Sequence, residues 1–394
     1  MIFRNTSIIV LFFIALSTSP AIFLGDGNRN LLLISVLFLF PLLLIKFLKI
    51  DRIDLLPLSM LLIMLIAPYF TNYESYRLST ILYSMLFILI FITYKQLLFN
   101  ADFSIHNYID LIKFILFSYF VVLLIQQFCV LTGLPIFNVS SYSSSSPWKL
   151  NSLSAEPSHT ARIVPILMFS YIVAKEIILN RKYSFDKDFK DDRYLWIAFL
   201  WIVFTSGSAT AHLFFVLIFF KFLSLKNIIN LSILILLFIG LINLLDITSF
   251  QRTINFTMAV LTLDINTMME VDHSASLRVV PFILLLDLVD VSTFEGWFGH
   301  GIDYVSTFMS DLIPGVPDGM AGGALLLTWM EYGFLVFILF IIYTFLSVFN
   351  KKDLLTIVFW FLLIFLGGIN SQMTWLAIVL LYTNTYYLKI KRNK

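Results

Sequence analysis

The chain has 394 residues, 60% of them hydrophobic and 13% charged, against roughly 45–50% and about 25% in soluble proteins. That much apolar side chain excludes a water-soluble fold and makes the bilayer the solvent. The formal net charge of +2 predicts no nucleic-acid partner, and one cysteine, Cys129, leaves no disulfide framework and no thiolate metal site.

A helix crossing the hydrocarbon core takes about 20 mainly apolar residues. In chain order the sequence predicts twelve, near 7–24, 30–50, 54–70, 77–95, 110–134, 159–178, 194–206, 209–225, 227–246, 322–347, 353–368 and 372–389. The expected class is an all-α polytopic membrane protein, one integral membrane domain over 1–394. The first segment lacks a small-x-small cleavage site and reads as a span, not a signal peptide. The seventh and eighth are short and separated only by Thr205–Thr210. Ser-rich residues 140–146 are a local loop bias, and no fixed-period repeat is visible.

Lys and Arg collect on the cytoplasmic side of helical membrane proteins. With the N-terminus inside and twelve spans, 20 of the 26 cations lie on the cytoplasmic side and 6 outside: Arg29, Arg77, Lys149, Arg162, Arg252 and Arg278. Both termini are therefore expected inside. The apolar run 277–286 contains Arg278 and Pro281 and is too short to span. It predicts an interfacial helix near 276–291.

Two external connections are long, 135–158 and 247–321, the second lying between the ninth and tenth spans. Loops of that length are usually functional. Five of the six external cations are Arg, whose planar fork suits two-point binding of phosphate oxygens. The alternative for each is snorkelling to headgroups. Ser154-Ala155-Glu156-Pro157-Ser158-His159 opens the sixth span, with Arg162 one turn on. Pro157 fits the first helical position and Glu156 faces the positive helix end, which is a sufficient structural account. The functional account is that Glu156, His159 and Arg162 share one helix face and can deprotonate a hydroxyl beside an anion. His212 follows Ser206-Gly207-Ser208 and can face the same external cavity, or simply hydrogen-bond within the bundle. Glu331, inside a span, should face the interior. Asn370, Ser371 and Gln372 read as a polar external turn. No metal-ligand spacing and no nucleotide loop is present.

The pattern resembles the bacterial O-antigen polymerases (Wzy proteins) of the O-antigen ligase and polymerase superfamily. The features are Glu156-Pro157-Ser158-His159 opening a middle span, the tight Thr205–Thr210 connection, Ser276-Leu277-Arg278 and Trp297-Phe298-Gly299-His300-Gly301 in the late external loop, and Glu331-Tyr332-Gly333 after it. Ligases of the superfamily carry a His-Asn pair upstream of that last Gly. Here the stretch reads Ala321-Gly322-Gly323-Ala324, which favours the polymerase.

The resemblance implies a GT-C-type glycosyltransferase architecture at the periplasmic face of the inner membrane. The substrate it implies is an undecaprenyl-pyrophosphate-linked oligosaccharide repeat unit, and a chain-length regulator is a possible protein partner. No cofactor and no metal is implied. Arg278 would stabilise the departing pyrophosphate with Arg162, Arg252 or Arg77 helping, and Glu156 or His159 would be the base. His212 and His300 complete the expected substrate contacts. An O-antigen ligase, a lipid-linked oligosaccharide flippase and a membrane O-acyltransferase are the competing readings.

Overall fold

The computed structural model describes residues 2–17, 49–71, 78–139, 142, 144, 147–206, 208–222, 248–313, 325–351 and 353–393. Among the described residues the regular structure is helical throughout, with no strand. The helices are α1 (Ile2–Ser17), α2 (Leu55–Ile66), α3 (Leu78–Asn100), α4 (Ile105–Thr132), α5 (Pro157–Leu179), α6 (Phe185–Thr205), α7 (Ala209–Phe220), α8 (Thr248–Leu261), α9 (Ile265–Val271), α10 (His273–Leu286), α11 (Phe294–Phe298), α12 (Met309–Leu312), α13 (Leu325–Val348), α14 (Leu354–Gly367) and α15 (Gln372–Asn393). Single turns at Pro68–Thr71, Arg52–Asp54 and Val305–Thr307 extend or link them.

Among the described residues four stretches are long and apolar enough to cross a membrane: Arg52–Thr71, Thr80–Asn100, Ile105–Thr132 and Leu325–Val348. In α4 the exposed face is as apolar as the buried one. Phe114 is 69% exposed, Phe128 59% and Leu131 72%, while Tyr108, Ile112, Leu116, Tyr119 and Leu123 are fully buried. A helix apolar all round suits lipid on its outer face and protein on its inner face. The chain is a helical membrane protein.

Helices also occupy the other expected span positions that are described, with one difference. The helix expected at 194–206 begins at Phe185, because its first turns are polar and anchored. Arg181 donates to both Asp188 oxygens at 2.7 and 2.5 Å, and the Ser184 N–H donates to Asp188 Oδ2 at 2.8 Å. The described part of 247–321, residues 248–313, carries α8 to α12. α10 stands where the interfacial helix is expected and ends at Leu286. Residues 30–48 of the second expected span and all of 227–246 lie outside the described residues.

The backbone divides into two compact units. The first comprises Met1–Leu39, Ala101–Met258 and Thr383–Lys394, the second Phe40–Asn100 and Ala259–Tyr382. In the first unit α4 packs on α5 and α6, and α5 on α6 and α7. The end of α15 is fastened there by hydrogen bonds from Tyr108 Oη to Asn384 Oδ1 (3.2 Å) and from Asn384 Nδ2 to Ser170 Oγ (3.1 Å). Ring pairs Phe204–His212, Phe199–Phe215 and Trp196–Phe222 run in opposite order along α6 and the segment from α7 to Phe222, so this pair is antiparallel. Lys221 reaches Glu176 at 3.0 Å and lies 5.2 Å over the Phe169 ring, which ties the end of α7 to α5.

In the second unit α13 packs on α2, α10, α11 and α14. Its core holds a buried ion pair between Lys95 and Asp54, with the Tyr343 hydroxyl donating to the same Asp54 oxygen at 3.2 Å. The Lys95 ammonium also lies 5.0 Å from the Tyr343 ring centre. Several cations on the expected cytoplasmic side are thus neutralised in place: Lys95 by Asp54, Lys175 by Asp192 at 3.3 Å, and Lys221 by Glu176.

Candidate functional site

Glu156 is the last extended residue before α5, at φ −140° and ψ 154°, and Pro157 occupies the first helical position. Its carboxylate makes no capping bond to the helix. It accepts instead from Ser158 Oγ at 3.1 Å and lies 4.0 Å from His159 Nε2, with the two side chains 57% and 27% exposed. At that separation the pair interacts through charge and not through a direct hydrogen bond. Arg162 is buried, and its Nε donates to the Ser158 carbonyl at 3.2 Å. The structure brings the expected Glu156, His159 and Arg162 into the first two turns of one helix.

His212 sits in the first turn of α7, 3% exposed, its ring 5.9 Å from that of Phe204. Arg252, on α8, lies close enough for its charge to act on the His212 ring. Gln127 Nε2 donates to Thr205 Oγ1 at 2.8 Å, next to Phe204, whose ring faces His212. The adjacent Gln126 accepts from the Ser152 N–H at 2.8 Å, in the loop that leads into Glu156. Four of the expected residues therefore stand at one end of the first unit, with Arg252 beside the fourth. The spacing between residues 159, 212 and 252 in sequence gave no sign of this.

The loop leading to Glu156 is held by residues that the sequence reading passed over. Gln126 and Asn151 are buried amides beneath it, Ser152 and Ser154 are buried hydroxyls, and Asn138 and Ser152 adopt positive φ of 54° and 52°. The available signal was only an unusual run of Asn and Ser around 138–154, which composition alone reads as loop.

Arg278 and His300 belong to the second unit. Arg278 sits in the second turn of α10, and its side chain falls outside the described atoms. Arg77 lies outside the described residues. His300 stacks on Tyr304 with ring centres 4.5 Å apart and planes at 13°. Burial pulls its pKa below the ordinary histidine range, so it is neutral near pH 7 and offers hydrogen bonds, not positive charge.

The motif around His300 is backbone machinery. Gly333 at φ 84° and ψ 167° breaks α13, and the carbonyls left by the break are taken by the loop after α11: the His300 N–H donates to Met330 O at 2.8 Å and the Gly301 N–H to Glu331 O at 3.2 Å. The Asp303 N–H reaches the Glu331 carboxylate, which is 3% exposed and faces the interior as expected. Gly299 and Gly333 allow the approach, since a Cβ at Gly299 would lie 2.3 Å from Glu331 O and one at Gly333 would lie 2.2 Å from Trp297 O. Asn370 lies in the turn between α14 and α15, where it donates to Tyr332 Oη at 2.7 Å and accepts from Ser84 Oγ at 2.6 Å.

No protein-family model, no curated protein and no solved structure matches the chain. Among the described residues no group of three or more His, Cys, Asp and Glu could hold a metal ion.

Proposed function

We propose that the chain is an O-antigen polymerase, a membrane glycosyltransferase that joins undecaprenyl-pyrophosphate-linked repeat units at the periplasmic face of a bacterial inner membrane. The observation that carries the reading is the exposed Glu156 carboxylate beside His159 and the buried Arg162, with His212 at the same end of the helix bundle. The finer topology belongs to this proposal: twelve spans in a GT-C-type architecture, both termini cytoplasmic, and a protein partner that sets chain length.

In the proposed reaction the acceptor sugar hydroxyl passes its proton to Glu156 or His159 while its oxygen bonds to the anomeric carbon of the donor glycan. The bond from that carbon to the phosphate oxygen breaks, and the polyprenyl pyrophosphate departs with the electron pair. Arg278, helped by Arg162, Arg252 or Arg77, meets the charge that develops there. Stabilisation of such charge is usually the largest catalytic contribution, and a positioned base adds about 10²–10⁴-fold. His300, being neutral, serves as a hydrogen-bond partner to sugar or phosphate oxygen.

One observation favours the lipid-linked oligosaccharide flippase. Transporters commonly bind their cargo at discontinuous spans, and α13 is broken at Gly333. Deleting the gene in a smooth-lipopolysaccharide strain separates the two. A polymerase deletion leaves the lipid A-core carrying a single repeat unit on a gel. Loss of all repeat units from the core would overturn the polymerase in favour of the flippase or the ligase.

A further inference from the structure

Beneath Glu156 lies a buried polar clamp that the chemistry above does not use. Gln126 Oε1 accepts from the Ser152 N–H at 2.8 Å, and Gln126 Nε2 reaches the carbonyls of Phe137 (2.9 Å) and Ser152 (3.3 Å). Asn151 Nδ2 donates to the carbonyls of Asn138 (2.9 Å) and Ser154 (2.6 Å), and the carbonyl of Asn151 accepts from Thr160 Oγ1 at 2.6 Å. The hydroxyl of Ser152 donates to the Tyr119 carbonyl at 2.6 Å. Gln126, Ser152, Ser154 and Thr160 are fully buried and Asn151 is 2% exposed.

The clamp has a direction. Asn151 grips the chain on both sides of Glu156, through Ser154 two residues before it and Thr160 four residues after. The side chains that favour the position before a helix and bond its first free N–H groups are Ser, Thr, Asp and Asn, not Glu. Glu156 makes no such bond, and the start of α5 is held by Asn151 and Thr160 instead. Its carboxylate is 57% exposed next to His159. Satisfying buried loop carbonyls is the packing role of the clamp, and its grips at Ser154 and Thr160 also fix the backbone on either side of Glu156.

We infer that Gln126 and Asn151 are positioning residues that fix the backbone carrying Glu156 and so place its carboxylate for the acceptor hydroxyl. The inference rests on the polymerase reading. A displacement of the base by about 1 Å is enough to cost on the order of 10²-fold in rate.

The test is a double-mutant cycle in purified protein reconstituted in lipid vesicles, with a synthetic polyprenyl-pyrophosphate-linked repeat unit as substrate. Asn151→Ala and Gln126→Ala should lower kcat by about 10–100-fold with KM changed less than about 2-fold. Thr160→Val, which removes one hydroxyl, tests the same clamp by a milder change and carries the experiment if the amide variants do not give a monodisperse protein. In a Glu156→Gln background each of these substitutions should cost nothing further, because residues acting as a unit are non-additive. Losses that multiply with that of Glu156→Gln would assign the clamp to packing and overturn the inference. Wild-type kcat in Asn151→Ala, in Thr160→Val or in Glu156→Gln itself would overturn it as well. The gel ladder of the deletion strain scores the polymerase reading separately, so the two failures are distinguishable.

Discussion

Glu156, His159 and Arg162 were legible in the sequence because a helix places residues three apart on one face, and the structure keeps them within two turns of α5. His212 was expected toward the same cavity, but its neighbour Arg252 was not legible. His212 and Arg252 meet across tens of residues, and no local spacing encodes such a pairing. Two outcomes belong to this scale. Glu156→Ala and Arg278→Ala should each abolish the repeat-unit ladder while the protein still inserts in the membrane, and a normal ladder from either removes that residue from the mechanism. Arg162→Lys should be nearly as damaging as Arg162→Ala. The buried Nε that donates to the Ser158 carbonyl has no counterpart in lysine. A lysine variant with wild-type polymer yield would reduce Arg162 to a general source of charge.

At the scale of elements, apolar length told where helices lie but not how they are broken or joined. Gly299 and Gly333 both stood in motifs quoted from the sequence, yet nothing there linked them. Their role follows from two backbones crossing at contact distance, where a side chain on either has no room. Gly333→Ala combines a φ of 84° with a clash on Trp297 O, whereas Gly133→Ala combines a φ of 71° with open space. A non-glycine residue in that region costs about 1–3 kcal/mol. Gly133→Ala should stay at the low end of that range, while Gly333→Ala should exceed it or prevent folding. Thermal unfolding of the two variants in detergent decides it, and equal melting points would refute the crossing as the cause.

The polar entry to α6 makes a pH-dependent claim on the same scale. The Arg181 guanidinium beside Asp188 holds its carboxyl below the usual carboxylate range. A carboxyl whose folded-state pKa is depressed stabilises the fold above its unfolded value, about 3.9. That contribution disappears as pH falls through the folded value. Melting points measured between pH 7 and pH 3 should therefore fall in acid, and Asp188→Asn should fall less steeply over that window. Parallel curves for the two proteins would show that the pair does not contribute.

For the whole molecule, composition indicated the solvent, and the asymmetry of Lys and Arg across the twelve expected spans predicts an orientation. The structure adds why that asymmetry survives folding at low cost. Lys95, Lys175 and Lys221 are buried or half-buried against Asp54, Asp192 and Glu176, so none of the three stands as a bare charge in the bundle. Cys129 is the single cysteine and is buried, which makes orientation directly measurable. In a Cys129→Ala background, Lys149→Cys and Lys182→Cys place thiols at two exposed positions of the first unit, one in the loop before α5 and one just after its C-terminus. A membrane-impermeant maleimide added to intact spheroplasts should label position 149 and should reach position 182 only after lysis. The two positions flank a 23-residue helix, so labelling of both from outside would mean that α5 does not cross the bilayer. Labelling of 182 alone would invert the orientation and place Glu156, His159 and Arg162 on the cytoplasmic face, away from any periplasmic substrate.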